Sequence, residues 1–181
     1  MEPDGVEQLK TEATLCRACV LSGSRRQVVI YDGTEQHPEV LFVGQSPGGS
    51  EDRSGRPFTG ASGSLLRGAI ETNGLKSYGF INLVNCYVQP GHWDDRYAAA
   101  CTPFLDRKLQ LYQPTRLFVT VGRDAQRFIG LRTGSYERVE TLAGLRVVHL
   151  VHPSAVLRRG GDPNDREWLR DWSFIRKELS R

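Results

Sequence analysis

Four cysteines are the residues whose type and spacing most directly indicate chemistry. Cys16 and Cys19 form a Cys-x2-Cys pair that fits on one turn, whereas Cys86 and Cys101 lie far along the chain with 14 residues between them. In a reducing compartment, such a set is more often a metal or cluster site than a disulfide framework. Four thiolates suit tetrahedral zinc or an iron–sulfur cluster, and the spacing alone leaves both open.

Three polar clusters accompany short apolar runs of the chain. They are residues 44–48 (Gly-Gln-Ser-Pro-Gly), Asn82, and residues 152–154 (His-Pro-Ser). In open parallel sheets, ligands bind in the crevice beyond the carboxyl ends of the strands. If each run is such a strand, the three clusters meet at one edge of the sheet and form a binding site there.

The elements that must position these residues alternate between two patterns. Continuous apolar runs, too short for buried helices, predict interior parallel strands at 40–43, 80–84, 117–121 and 147–151, and an earlier run at 28–31 ends in a turn signal at Asp32-Gly33. Helical patterns occupy about 61–73, 98–112, 123–130 and 165–179, with a weaker one at 6–15. We therefore predict a three-layer α/β/α fold with a central four-stranded, mainly parallel sheet, in a single domain over residues 1–181.

Composition limits the class of protein. The 181 residues include 39% hydrophobic and 25% charged residues, which is typical of an ordered domain and not of a disordered chain. No apolar run is long enough to span a bilayer, and the acidic start of the chain does not resemble a signal peptide, so we expect a cytoplasmic monomer that does not bind membranes. Twenty of the 24 basic residues are arginine, which permits a nucleic-acid partner, although codon bias explains the excess equally well.

The polar clusters closely resemble motifs of a known family. Residues 44–48, Glu51-Asp52 and residues 55–60 (Gly-Arg-Pro-Phe-Thr-Gly) resemble the first motif of the family 4 uracil-DNA glycosylases. Residues 152–158 (His-Pro-Ser-Ala-Val-Leu-Arg) resemble the second motif of that superfamily. The resemblance runs from Cys16 to about Trp168, and it implies that Cys16, Cys19, Cys86 and Cys101 hold a structural 4Fe-4S cluster.

The resemblance also implies roles for individual side chains. Excision requires flipping the nucleotide into a pocket, where Phe58 would stack on the base and Asn82 would hydrogen-bond its edge. His152 would donate to the base oxygen as negative charge develops there. The other base-binding candidates are Gly44, Ser46, Gly48 and Ser154. Each role has a structural alternative: Phe58 would be an ordinary core residue, Asn82 a strand-end turn residue and His152 a helix cap.

The sequence departs from the family pattern at position 45. Gln45 stands where the family has glutamate, and a glutamine side chain cannot act as a general base. Either Gln45 only positions the water, or Asp52 or Glu51 takes the proton, and we select Asp52. Because none of the four lysines lies in a motif, we expect a monofunctional glycosylase that uses water and not a Schiff-base lyase.

The sequence also predicts which residues contact DNA and which base is excised. We expect Leu157 to wedge into the gap left by the flipped base, and Arg158 and Arg159 to contact phosphates, although a core leucine and solvated arginines are the alternatives. Uracil is the default base. The alternative base is a C5-modified cytosine, such as glucosylated hydroxymethylcytosine in phage DNA, which would imply an antiviral role. Three features permit it: Gln45, the altered segment after Cys86, and the lack of a bulky residue at 48. A non-hydrolysing DNA-binding sensor and a cysteine-ligated zinc module are the remaining alternatives.

Overall fold

The chain folds around a central sheet that is covered by helices on both faces. A computed structural model describes residues 5–129, 140–142 and 144–181. The helices are α1 (Gly5–Leu15), α2 (Gly49–Ser54), α3 (Ala61–Thr72), α4 (Asp95–Leu111), α5 (Arg123–Phe128), α6 (Pro153–Arg158) and α7 (Arg166–Leu179), with a 3-10 turn at Val20–Gly23. None of the described helices is long and apolar enough to cross a bilayer.

The sheet confirms the predicted α/β/α class and corrects the number of strands. The strands are β1 (Asp32–Gly33), β2 (Val40–Gly44), β3 (Tyr78–Asn82), β4 (Leu117–Val121), β5 (Glu140–Leu142) and β6 (Leu145–Leu150). Their order is β1-β3-β2-β4-β6-β5, and the four central strands are parallel. The described sheet therefore has six strands and not four, because β1 and β5 add short antiparallel edges. Two or three residues are too few to produce a recognisable hydrophobic pattern.

Three short segments differ from what the sequence pattern suggests. The run 28–31 is not a regular strand; it packs as an extended segment, in which the Val29 N–H donates to the Asn85 carbonyl at 2.8 Å. The glycine-rich, polar sequence predicts one loop over residues 44–63, but this stretch contains α2. Residues 156–160, which the sequence also predicts as a loop, include the last turn of α6. Both helices have only six residues, which is less than two turns and too short for a helical periodicity to show.

The predicted longer helices are confirmed, with small differences at their ends. Helix α4 begins earlier than predicted because the Asp94 side chain accepts the Arg96 N–H at 2.8 Å and caps the first turn. Helix α5 ends at Phe128, and residue 130 of the predicted helix lies outside the described residues.

The sheet buries both of its faces, which explains why its strands are apolar throughout. Along β2, Leu41 and Val43 join the core under α1 and α4, whereas Val40 and Phe42 join the core under α3 and α7. Every residue of β2 and β4 is buried. The strands therefore have no continuous polar face, and their polar residues lie at or next to the strand ends, namely Asn82, Thr120, Arg146 and His149.

Helix α3 offers a matched pair of glycines that tests its packing. A Cβ on Gly63 would lie 2.0 Å from the Phe58 carbonyl oxygen, whereas a Cβ on Gly68 would meet nothing within 4 Å. We expect Gly63→Ala to lower the free energy of unfolding by about 1–3 kcal/mol through overpacking. Gly68→Ala should raise it by about 0.5–1 kcal/mol because alanine is the better helix former. Urea unfolding measures both values, and equal effects of the two substitutions would contradict this account.

Candidate active site

The predicted polar clusters do meet at one edge of the sheet. Gly44 ends β2, Asn82 ends β3, and His152 follows β6. A cavity of about 440 Å³ opens at this edge, and Gln45, His152 and Ser154 line it. Parallel register brings the ends together, since Gly44 pairs directly with Asn82. The topology therefore assembles a site from residues more than 100 positions apart.

Gly44, Asn82 and Phe58 pack tightly together in a corner beside the cavity, although none of the three is among the residues that line it. A Cβ on Gly44 would lie 2.4 Å from Asn82 Oδ1 and 2.7 Å from Phe58 Cζ, so only glycine fits between them. Asn82 is 3% exposed, yet no hydrogen bond joins its side-chain amide to any residue that the structure describes. Among the described residues, Trp172 Nε1 is the one fully buried side-chain polar atom without a partner, so the Asn82 amide is not sealed off and remains open to a ligand.

Phe58 adopts a backbone conformation that is rare for a side chain of its size. Its φ is 53°, and among the described residues it is the one non-glycine residue with positive φ. Arg67 Nε donates to the Phe58 carbonyl at 3.0 Å and holds this conformation in place. The ring packs on Phe80 with centroids 5.2 Å apart, so Phe58 is part of the core as well as of the corner. Strain of this kind concentrates at functional sites.

Gln45 contacts a carboxylate that sequence analysis missed. Gln45 Nε2 donates to Asp124 Oδ2 at 2.5 Å, and both residues line the cavity. Asp124 lies in the first turn of α5, directly beyond the end of β4. The sequence does contain one indication of Asp124, because this residue follows the apolar run 117–121, which ends at the same edge of the sheet as the other clusters.

Asp52, the carboxylate selected from the sequence, faces other partners. It is 5% exposed and accepts the Arg26 N–H at 2.9 Å. The main-chain carbonyl of Asp52 accepts from Gln27 Nε2 at 3.1 Å, and Asp52 is not among the residues that line the cavity. The structure therefore gives Asp52 a visible role in fixing residues 26–27, and its part in water activation stays a prediction.

His152 caps helix α6 and is held as a neutral donor. Its Nδ1 accepts the Ser154 N–H at 3.1 Å and lies 2.7 Å from Ser154 Oγ. Arg158 Nη1 donates to that oxygen at 3.2 Å, so the serine hydroxyl donates its own proton to Nδ1. Burial and the nearby Arg158 cation lower the pKa of His152, while Asp124 opposes them. The neutral ring therefore carries its proton on Nε2; the structure shows the capping contact, and the role toward the base stays a prediction.

The remaining predicted residues have distinct surroundings. Ser46 is half-buried in the turn after β2, and the Gly48 N–H donates to Glu51 Oε2 at 3.0 Å. Leu157 is 37% exposed in the last turn of α6. Arg159 forms ion pairs with Asp165 and Glu167, as a structural residue would.

The four cysteines occupy one region on the α1 and α4 side of the sheet. Cys86 and Cys101 are buried, and Cys16 and Cys19 are half-buried. Burial raises the pKa of both buried thiols, and Cys19 acts on the pKa of each of them through its charge. Among the described residues, no three His, Cys, Asp or Glu side chains lie close enough to enclose a single metal ion.

Donors to sulfur surround these cysteines. Arg25 Nη1 donates to Cys86 Sγ at 3.2 Å, and the Ala18 N–H donates to Cys16 Sγ at 3.5 Å. The backbone N–H of Asn85 also hydrogen-bonds Cys101 and lowers the pKa of that thiol, against the larger effect of burial. Such donors stabilise thiolates, which are the form that binds metals.

Sequence comparisons identify the chain as a DNA glycosylase. Residues 31–176 match the model of the uracil DNA glycosylase superfamily, and the chain belongs to this superfamily. The type-4 uracil-DNA glycosylase of Sulfurisphaera tokodaii is 33% identical over 96% of this chain and 84% of its own length. The type-4 enzyme of Thermotoga maritima is 30% identical over 90% of this chain and 91% of its own length. The resemblance to the family 4 enzymes is thus confirmed.

The electrostatic surroundings of His152 give opposite predictions for two neighbours. Arg158→Ala should raise the pKa of His152, because it removes a cation that disfavours the imidazolium. Asp124→Asn should lower it further, because Asp124 favours the charged ring. NMR titration of the His152 ring measures both shifts, with exposed Arg176→Ala as a control that leaves the pKa unchanged. Shifts in the same direction for both variants would contradict the assignment.

Proposed function

We propose that the protein is a monofunctional glycosylase that flips deoxyuridine out of DNA and hydrolyses its N-glycosidic bond, leaving an abasic site. The observation that carries this proposal is the Asn82 amide, which is unpaired among the described residues and packed against Gly44 and Phe58. An amide offers one acceptor and two donors, which match the N3–H and O4 of uracil. The Phe58 ring offers a face for stacking. The names of the relatives support uracil as the base.

Departure of the base requires stabilisation of negative charge. As the glycosidic bond breaks, electrons move onto the uracil ring and its O2 becomes anionic. The neutral His152 ring, with its proton on Nε2, is suited to donate a hydrogen bond to this oxygen. Ser154 and Arg158 act through His152 by fixing its Nδ1 as an acceptor.

The water that attacks C1′ needs an acceptor near the sugar. Gln45 donates its Nε2 to Asp124, which leaves its Oε1 to accept a hydrogen bond from that water. Asp124 supplies the carboxylate that Gln45 lacks, and it takes the proton that the water loses as the water attacks C1′. Asp52 remains the rival carboxylate, although its contact with the Arg26 N–H turns it toward a different segment.

DNA is held on both sides of the flipped nucleotide. Leu157, exposed at the end of α6, is positioned to fill the gap in the base stack. Arg158 lines the cavity, and its Nη1 contacts Ser154 Oγ. From this position, its guanidinium group is within reach of a phosphate next to the flipped base. Arg159 is engaged with Asp165, so we expect it to contribute less to DNA binding than Arg158.

The cysteine set fits a 4Fe-4S cluster. Four thiols share one region, and N–H groups surround their sulfurs, as cluster ligands require. The cluster would supply a structural link between the N-terminal turn and the segment that follows Asn82.

Release of the base from a panel of duplexes tests the proposal. Duplexes containing uracil, thymine, cytosine or glucosylated hydroxymethylcytosine are incubated with the protein, and the released base is identified by mass spectrometry. We expect uracil alone. Release of the modified cytosine alone would instead support an antiviral glycosylase, and binding without any release would support a DNA sensor.

Two isosteric variants separate the candidate carboxylates. Asp124→Asn should lower kcat by about 100-fold or more, as loss of a general base does, without changing the melting temperature. Asp52→Asn should leave kcat within about threefold and lower the free energy of unfolding by about 1–3 kcal/mol, because Asp52 is buried against backbone N–H groups. The opposite pattern, measured by single-turnover kinetics and thermal unfolding, would assign water activation to Asp52.

The cluster proposal has its own readout. Protein purified without oxygen should contain iron and sulfide and show a broad visible absorbance that reductant bleaches. Cys101→Ser should lose this absorbance together with stability, because Cys101 is buried in the core of the α4 side. Zinc in place of iron, with no visible absorbance in the native protein, would overturn the cluster.

A further inference from the structure

Lys108 is a buried charge beside the base-binding corner. It lies on α4, is 0% exposed, and is the one lysine among the buried residues that the structure describes. Its Nζ donates to the main-chain oxygen of Asn82 and to Asn85 Oδ1, each at 2.5 Å. Both partners belong to the segment that runs from the end of β3 to Cys86. The mechanism above uses neither Lys108 nor Asn85.

The cost of this arrangement indicates a role beyond packing. A buried ammonium loses its hydration, and in the described part of the chain no carboxylate forms an ion pair with it. Burial lowers the pKa of Lys108 to about 8, and Cys101 and Cys86 oppose this effect through their charge. An apolar side chain of similar size would avoid this cost but would leave the Asn82 main-chain oxygen and Asn85 Oδ1 without the Nζ donor.

The segment that Lys108 holds joins the two chemically active parts of the molecule. The Asn85 carbonyl also accepts the Val29 N–H at 2.8 Å, and the Asn85 N–H bonds the Cys101 sulfur. At the other end of the segment, the Asn82 side chain faces Gly44 and Phe58. Lys108 therefore sits between the cysteines and the amide that would bind the base.

We propose that Lys108 is a positioning residue for base recognition, whose ammonium group fixes Asn82 and Asn85 so that the Asn82 amide keeps the orientation that uracil requires. This inference rests on the proposed glycosylase function and adds to it. The ammonium acts through the Asn82 main chain and does not touch the substrate. Misplacing a positioning amide by about 1 Å is enough to reduce the rate by about 100-fold.

The experiment compares three variants of the full chain loaded with its cluster. Lys108→Met removes the charge and keeps the length of the side chain. Asn85→Lys combined with Lys108→Gln moves the ammonium group from α4 to the adjacent segment, because Asn85 Oδ1 already lies in contact with Nζ. Lys177→Met, at an exposed position of α7, is the matched control.

We expect Lys108→Met to lower kcat/KM for uracil-containing duplex by about 10–100-fold and to lose preference for uracil-containing over thymine-containing duplex in equilibrium binding. The double variant should restore at least a tenth of the native values, and Lys177→Met should have no effect. Iron content and melting temperature measured on each variant identify any protein that fails to fold. The double variant then still tests whether the charge, and not the methylene chain, is needed.

Several results would overturn this role. If Lys108→Met has the same kcat/KM and the same binding preference as the native protein, the Lys108 charge does not position Asn82. Loss of activity in proportion to loss of iron, with no recovery in the double variant, would show a purely structural lysine. Borohydride trapping of DNA on Lys108 would make it a nucleophile instead. If the native protein releases no uracil, the proposed function fails, and the binding preference still reports separately on Lys108.

Discussion

The carboxylate of Glu51 holds together the loop on which the base-binding corner depends. Its Oε2 accepts the Gly48 N–H at 3.0 Å, and its Oε1 accepts the N–H groups of Thr59 and Gly60 at 2.9 and 2.8 Å. One side chain thus ties the beginning of the loop to its end. Charge-assisted bonds of this kind contribute about 1.5–3 kcal/mol each. Together they outweigh the cost of about 1–3 kcal/mol for the positive φ of Phe58.

The site separates groups that suit negative charge from those that suit positive charge. In the proposed complex, Asn82 faces the base as a neutral amide, and burial and Arg158 favour a neutral His152, so neither side chain would add a full charge where the base becomes anionic. Asp124 lies across the cavity on α5, where a carboxylate suits an electron-poor sugar. The parallel sheet produces this separation, because β3 and β6 deliver the neutral groups and β4 delivers the carboxylate.

The elements that could be predicted from the sequence are those that leave a recognisable pattern in a few consecutive residues. Buried strands such as 117–121 show as continuous apolar runs, and the polar clusters beyond them mark the edge where the site forms. Helices α2 and α6 were missed because six residues give no periodicity. Asp124 was missed because an aspartate in the first turn of a helix is ordinary, and only its 2.5 Å contact with Gln45 distinguishes it. Lys108 was set aside because no motif contains it, since its partners are 23 and 26 positions away.

The glutamine at position 45 and the aspartate at position 124 explain one another. Gln45 Nε2 donates to Asp124 Oδ2, so the two side chains share a hydrogen bond that two carboxylates could not form. Two like charges 4 Å apart repel by about 4 kcal/mol at an effective dielectric constant of 20, and a glutamate at 45 would be closer than that to Asp124. A carboxylate at 124 therefore favours an amide at 45. With a neutral side chain at 45, the negative charge next to it lies on Asp124 in α5, and Glu167 is the other carboxylate that lines the cavity.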